Sequence, residues 1–219
     1  MLALAAVCAC KINVDQNQPV AIAITLPDSG RVELTDTFRP RGRALNGLGD
    51  SVAAPLYWSS LDTATLAVVD STTGVSISKV IGTARLQART GKLFANPQTV
   101  TVLARLDSIR PTGAVRHTVV ATDSLSDSLS VQVFALNGAI PANRRVVFAV
   151  ADTFPTGGPG VTLVPNDTVF TSATGLAAVR VRRPTGAVPD SVVITATMNH
   201  VNQTAVNGSP LTFVVEFRP

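Results

Sequence analysis

The residue types on which most side-chain chemistry depends are scarce in this chain. There are two histidines, His117 and His200, two glutamates, Glu33 and Glu216, and two cysteines, Cys8 and Cys10. Nucleophilic catalysis needs a Ser or Cys, a base and an orienting acid. The available bases are His117, in a strand-like run, and His200, in the loop Asn199-His-Val-Asn-Gln203. No Gly-x-Ser-x-Gly elbow accompanies either. Glu33 and Glu216 each fall in a strand-like run and read as its solvent face, not as an acid–base pair. The doubled tetrapeptide Asp123-Ser-Leu-Ser-Asp-Ser-Leu-Ser130 offers two carboxylates, few for a calcium ion that takes about six to eight oxygens. Zinc spacing, a phosphate loop and a dinucleotide fingerprint are all missing from the sequence. The expectation is a noncatalytic chain with no catalytic residue, no metal and no cofactor.

Two features remain that suit binding. Arg39/Arg41/Arg43 and Arg180/Arg182/Arg183 are basic groupings that suit anionic polysaccharide, lipid headgroups or nucleic acid, or are simply solvated strand faces. Nucleic-acid modules interleave such charge with stacking aromatics. Aromatics are 5% of this chain, so nucleic acid is not an expected partner. Tyr57 and Trp58 are the lone Tyr and the lone Trp. In a strand-like run, Trp58 reads either as a core plug or as a ligand-stacking platform. Tyr57, Trp58, Arg180 and Arg182 are therefore the candidate ligand contacts, with cell-surface polysaccharide or another surface protein as partner.

The elements that would hold these residues are short strands. Apolar residues make up 46% of the 219 positions and charged residues 15%, which excludes a disordered polyelectrolyte and a Glu/Lys-rich coiled coil. No segment sustains an i, i+3, i+4, i+7 stripe, and no apolar run is long enough for a membrane-crossing helix. Period-2 alternation punctuated by Gly, Pro, Asn and Asp predicts strands at about 20–26, 31–37, 55–59, 66–70, 75–80, 83–89 and 98–105. A second set covers 117–122, 129–136, 145–151, 161–164, 168–172, 176–183, 191–198 and 211–217. In Leu211–Phe217, Leu211, Phe213, Val215 and Phe217 share one face; in 177–182, Ala177, Val179 and Val181 oppose Arg180 and Arg182. Each set has sandwich spacing. The expected organisation is a first sandwich over 19–108 and a second over 109–219. Strand pattern gives way to Asp107-Ser-Ile-Arg-Pro-Thr-Gly113 between them. Sandwich edges carry unpaired backbone groups, which leaves self-association by strand addition open.

The N-terminus reads differently. Leu2 to Val7 resemble the end of a signal-peptide apolar region. Val7-Cys8-Ala9-Cys10 is similar to a bacterial lipobox, which implies lipidation at Cys10 and a membrane anchor. Residues 1–10 are then a signal remnant and 11–18 a polar tether. The missing basic residue before the apolar run fits a true start codon upstream.

Residues of about 20–104 resemble the group 2 bacterial immunoglobulin-like domain. The resemblance rests on Trp58-Ser-Ser60, Asp62-Thr-Ala-Thr-Leu-Ala-Val-Val-Asp70, the turn Ser71-Thr-Thr-Gly-Val75 and the strand Gly82-Thr-Ala-Arg-Leu-Gln-Ala88, in that order. The segment Phe38-Arg-Pro-Arg-Gly-Arg43 interrupts the expected opening strands. The second half is similar to the group 1, invasin-type domain through Val131–Gly138, Arg145–Val150, Thr174–Val179 and Val192–Thr197. The resemblance implies an all-β fold of two tandem immunoglobulin-like antiparallel sandwiches. It also implies an address in the bacterial cell envelope or outside it, and a part in adhesion, spacing or assembly.

Overall fold

The computed structural model describes residues 17–219, so the readings at Cys8, Cys10 and most of the tether lie outside the described residues. Eleven strands make the first half: β1 (Ala21–Thr25), β2 (Arg31–Glu33), β3 (Thr37–Phe38), β4 (Arg41–Leu45), β5 (Ser51–Val52), β6 (Tyr57–Ser60), β7 (Leu66–Val68), β8 (Ser76–Ser78), β9 (Gly82–Thr90), β10 (Leu93–Phe94) and β11 (Gln98–Leu103). The long strand β9 organises them. Ala84, Leu86, Ala88 and Thr90 alternate inward, while Thr83, Arg85 and Arg89 face solvent. It pairs antiparallel with β6, β10 and β11, and β11 in turn pairs parallel with β2. Two smaller sheets, β1-β4-β5 and β3-β8-β7, complete the half. Their inward residues meet in one core that contains Val32, Phe38, Trp58, Leu66, Leu86 and Val100.

Nine strands make the second half: β12 (Leu106–Pro111), β13 (Arg116–Val119), β14 (Leu129–Ala135), β15 (Arg145–Phe154), β16 (Thr162–Val164), β17 (Thr168–Phe170), β18 (Leu176–Arg182), β19 (Ser191–Thr197) and β20 (Leu211–Phe217). One sheet runs β12-β14-β18-β16 and the other β13-β20-β19-β15-β17. Val131, Val133, Val179 and Val181 from the first meet Phe148, Ile194, Phe213 and Val215 from the second. Truncating Phe148 or Phe213, both fully buried, to Ala would cost about 3–5 kcal/mol. The expected all-β architecture of tandem immunoglobulin-like sandwiches is the one observed.

Three expectations need correction. The interruption expected at 38–43 is instead β3, a two-residue break and β4; Arg41 and Arg43 point to solvent on a strand paired with β1, so charge there is not a strand breaker. The loop expected at Asp107–Gly113 is mostly β12, which pairs with β14 and contributes Leu106 and Ile109 to the second core. A register shift between Leu106 and Ser108 hides its period-2 pattern. Only Ala104 and Arg105 therefore separate the last strand of the first core from the first strand of the second. Third, Glu33 is fully buried and not on a solvent face.

Candidate functional site

The buried charge lies where the two halves meet. Glu33 ends β2, a strand held by parallel pairing to β11, whose Leu103 leads into the Ala104–Arg105 connection. Its carboxylate is therefore carried under the start of the second half. The Leu106 N–H donates to Glu33 Oε2 at 3.4 Å. The Arg144 guanidinium, one residue before β15, ion-pairs with Glu33 Oε1. His200 Nδ1 lies 2.7 Å from Glu33 Oε2. Ser78 Oγ donates to the Glu33 backbone carbonyl at 2.6 Å, which fixes the strand end itself. Beside this group, the connecting residue Arg105 ion-pairs with Asp36, and the Arg105 carbonyl accepts from Leu136 N–H at 2.9 Å.

The electrostatics follow from burial. Desolvation, then the nearby positive charge of Arg31, lowers the Arg144 pKa to about 10, still well above neutral pH. Desolvation, then the Arg105 charge, lowers the His200 pKa below its ordinary 6.5; Asp36 opposes this and Arg144 adds to it. The lowering favours the neutral imidazole at pH 7, and the carboxylate, which only accepts, selects the form with the proton on Nδ1. One carboxylate holds one guanidinium, one imidazole N–H and one backbone N–H. A buried ion pair of this kind is held by geometry and extra hydrogen bonds, since desolvation offsets much of the Coulombic attraction. Two polar atoms in the neighbourhood, Asp36 Oδ2 and Arg144 Nη1, are buried without a hydrogen-bond partner among the described residues.

The residues singled out from the sequence are scattered by comparison. Trp58 is 5% exposed and packs in the first core, so of the two readings the core plug is the one observed. The ring fits because two glycines flank it: a Cβ on Gly42 would lie 2.9 Å from Trp58 Cζ2, and one on Gly74 would lie 2.8 Å from Trp58 Cδ2. Strand alternation sends Tyr57 the other way, where it is 40% exposed with the Arg89 guanidinium 5.3 Å from its ring centroid. Tyr57 and Trp58 therefore form no shared ledge. Arg180 and Arg182 are exposed on β18, apart from these aromatics, as the alternation predicts. Arg183 is tied down instead, donating to the Val119 and Arg218 carbonyls at 3.2 Å. His117 Nε2 lies 2.9 Å from the Ala114 carbonyl, and among the described residues neither histidine ring bonds a serine hydroxyl. No three His, Cys, Asp or Glu side chains gather into a metal-holding group among the described residues.

The residues quoted for the family resemblance stabilise local structure. Asp62 grips Arg85 through both carboxylate oxygens and also accepts the Arg85 backbone N–H at 2.8 Å, which lowers its pKa. Asp70 accepts from Thr72 and Thr73 in the turn that leads to Gly74, and these bonds hold its carboxyl well below the usual range. Sequence reasoning missed Glu33 and Arg144 as partners. A signal was present: Glu33 is one of only two glutamates and sits in an otherwise apolar strand end, Val32-Glu-Leu34.

No protein-family model and no curated protein matches the chain. Among solved structures it is similar to the Yersinia pseudotuberculosis adhesin InvE at 17% identity, with 89% of this chain and 58% of that one covered and a TM-score of 0.45. The chain thus spans 58% of the length of that adhesin structure. It is also similar to domains 4 and 5 of the S-layer protein SbsC, at 15% identity, 92% and 100% coverage and a TM-score of 0.35. Fibronectin(III)-like modules of Clostridium thermocellum CbhA give 12% identity, 90% and 94% coverage and a TM-score of 0.41.

Proposed function

We propose that the chain is a noncatalytic spacer of the bacterial cell envelope, holding two immunoglobulin-like sandwiches at a fixed distance and angle. The observation that carries this reading is the junction. A two-residue connection is itself ion-paired through Arg105 to Asp36, and a buried Glu33–Arg144 pair joins the halves beside it. Interfaces between domains of one chain commonly permit relative motion. The Glu33 carboxylate is held at once by Arg144, by His200 and by the Leu106 N–H, and that many-sided geometry specifies one arrangement of the halves. The ordered resemblance of 20–104 to the group 2 bacterial immunoglobulin-like domain supports the envelope setting. The lipobox resemblance at Val7–Cys10 supports attachment to a membrane through Cys10.

The test is a distance distribution between spin labels, one on an exposed position of each half, for example Thr83 and Arg180. A rigid spacer gives one narrow peak, which broadens in Glu33→Ala. A broad distribution in the unsubstituted chain overturns the reading.

A further inference from the structure

A cleft of about 490 Å³ opens beside the buried ion pair, walled on one side by the first half and on the other by the second. That volume lies in the range of small-molecule sites, roughly 300–1,000 Å³. The first half contributes Asp28, Ser29 and Arg31; the second contributes Arg145, Asn199 and His200 among others. We propose that this cleft binds an acidic saccharide, its carboxylate or sulfate between Arg31 and Arg145 and its hydroxyls on the neutral polar groups around them.

Three observations converge. First, cation is in excess where it is least compensated. Glu33 neutralises Arg144, but the side chains of Arg31 and Arg145 have no hydrogen bond or ion pair among the described residues. Asp28 is the only carboxylate lining the cleft among the described residues. Arg31 is close enough to Arg144 for its charge to depress the Arg144 pKa, and Glu33 ion-pairs with Arg144 alone, so the charge of Arg31 is left uncompensated beside it. A fork-shaped oxyanion acceptor relieves that repulsion, and guanidinium pairs suit carboxylate and sulfate geometry.

Second, the remaining lining suits hydroxyls. The side chains of Ser29, Thr197 and Asn199 make no hydrogen bond to the described residues, and His200 Nε2 is unpartnered while Nδ1 is committed to Glu33. The neutral His200 presents Nε2 as an acceptor, Asp28 is an acceptor, and Asn199 supplies both donor and acceptor. A bare inorganic anion accepts from the donors but leaves the acceptors Asp28 and His200 Nε2 unused; a polyhydroxylated ligand bearing an oxyanion can answer both kinds of group.

Third, the walls are strained. Among the described residues six non-glycine positions have positive φ, and three line this cleft: Asp28 (47°), Ser29 (53°) and Gln203 (67°). Asp28 and Ser29 are consecutive and run into Gly30, where a Cβ would lie 2.8 Å from the Thr99 carbonyl oxygen. Left-handed backbone is costly for a non-glycine residue, and such strain clusters where backbone is shaped around a ligand.

The experiment titrates the whole chain by calorimetry with trigalacturonate, sialyllactose and a sulfated chondroitin disaccharide. Each is paired with its neutral counterpart, the methyl ester or, for the chondroitin disaccharide, the desulfated methyl ester. At least one acidic probe is expected to bind one-to-one, with its neutral counterpart about tenfold weaker or silent. Arg31→Ala and Arg145→Ala should each weaken that probe about tenfold or more with the melting temperature unchanged. The inference is overturned if all three acidic probes are silent, or if both variants keep full affinity. Sodium sulfate competing as strongly as the sugar would also overturn it, because the site would then recognise charge alone. The acidic-versus-neutral comparison uses the unsubstituted chain and does not depend on how the variants fold.

Discussion

Glu33 and Arg144 stand 111 positions apart in sequence and meet as a buried ion pair that joins the two sandwiches. The carboxylate is fully buried and the guanidinium 5% exposed, so neither is rehydrated while the junction stays closed. Removing one partner leaves the other charged and buried. Glu33→Gln should lower the free energy of unfolding by about 3–5 kcal/mol. Denaturant titration of the whole chain measures it. The paired change Glu33→Met with Arg144→Leu should recover part of that loss, since it removes the unpaired charge but leaves the Leu106 N–H and His200 Nδ1–H without their acceptor. Loss of less than about 1 kcal/mol in Glu33→Gln would mean that water reaches the pair.

Stability should also depend on pH through His200. Its folded pKa is lowered, so the unfolded chain takes up a proton first as the solution is acidified. The contribution is complete above the unfolded value of 6.5 and is lost as pH falls from there toward the depressed folded value. Glu33, Asp36, Arg105 and Arg144 are the charges around the ring. The melting temperature should therefore be lower near pH 5.5 than near pH 7.5, and His200→Gln should flatten that slope. An unchanged slope in the variant assigns the pH dependence elsewhere.

Trp58 provides an optical probe of the first core. Acrylamide should quench its fluorescence far less than that of free tryptophan, because the indole is buried in the first core with Gly42 and Gly74 close against it. Gly74→Ala should destabilise by at least about 2 kcal/mol. It puts a Cβ at 2.8 Å from the ring, on a residue whose φ is +78°. Wild-type-like stability in Gly74→Ala would show that the turn Ser71–Gly74 can shift away.

In the native cell, Cys10→Ser should move the protein from the membrane fraction to the soluble one, while Cys8→Ser leaves it in place. A native peptide running through Ala9–Lys11 with a free thiol at Cys10 would remove the anchor from the proposal.

Much of the architecture was legible because alternation is a local property. Every strand of the second core except β12 fell where period 2 put it, and β18 buries Ala177, Val179 and Val181 while exposing Arg180 and Arg182 as read. β12 escaped because a register shift after Leu106 breaks the alternation. β4 escaped because exposed arginines and a glycine look like a loop until Gly42 is seen against the Trp58 ring. The junction was not legible at all. Glu33, Arg144 and His200 are isolated in sequence, and only the parallel pairing of β2 with β11 and the short connection after it bring them together. Such contacts have no period to read.

The two parallel pairings, β2 with β11 and β13 with β20, bear on how the chain responds to tension. A pull toward the N-terminus drags on β2, and a pull toward the C-terminus drags on β11 in the opposite sense. Because the strands run the same way, they must slide past one another, and the hydrogen bonds across Arg31–Thr101 to Glu33–Leu103 are loaded together instead of one by one. The four-residue match of β13 with β20, from Arg116–Val214 to Val119–Phe217, is loaded in the same manner. Each sandwich thus carries its own shear clamp, and a stalk made of such units would stay at full length under loads that unzip a peeled hairpin.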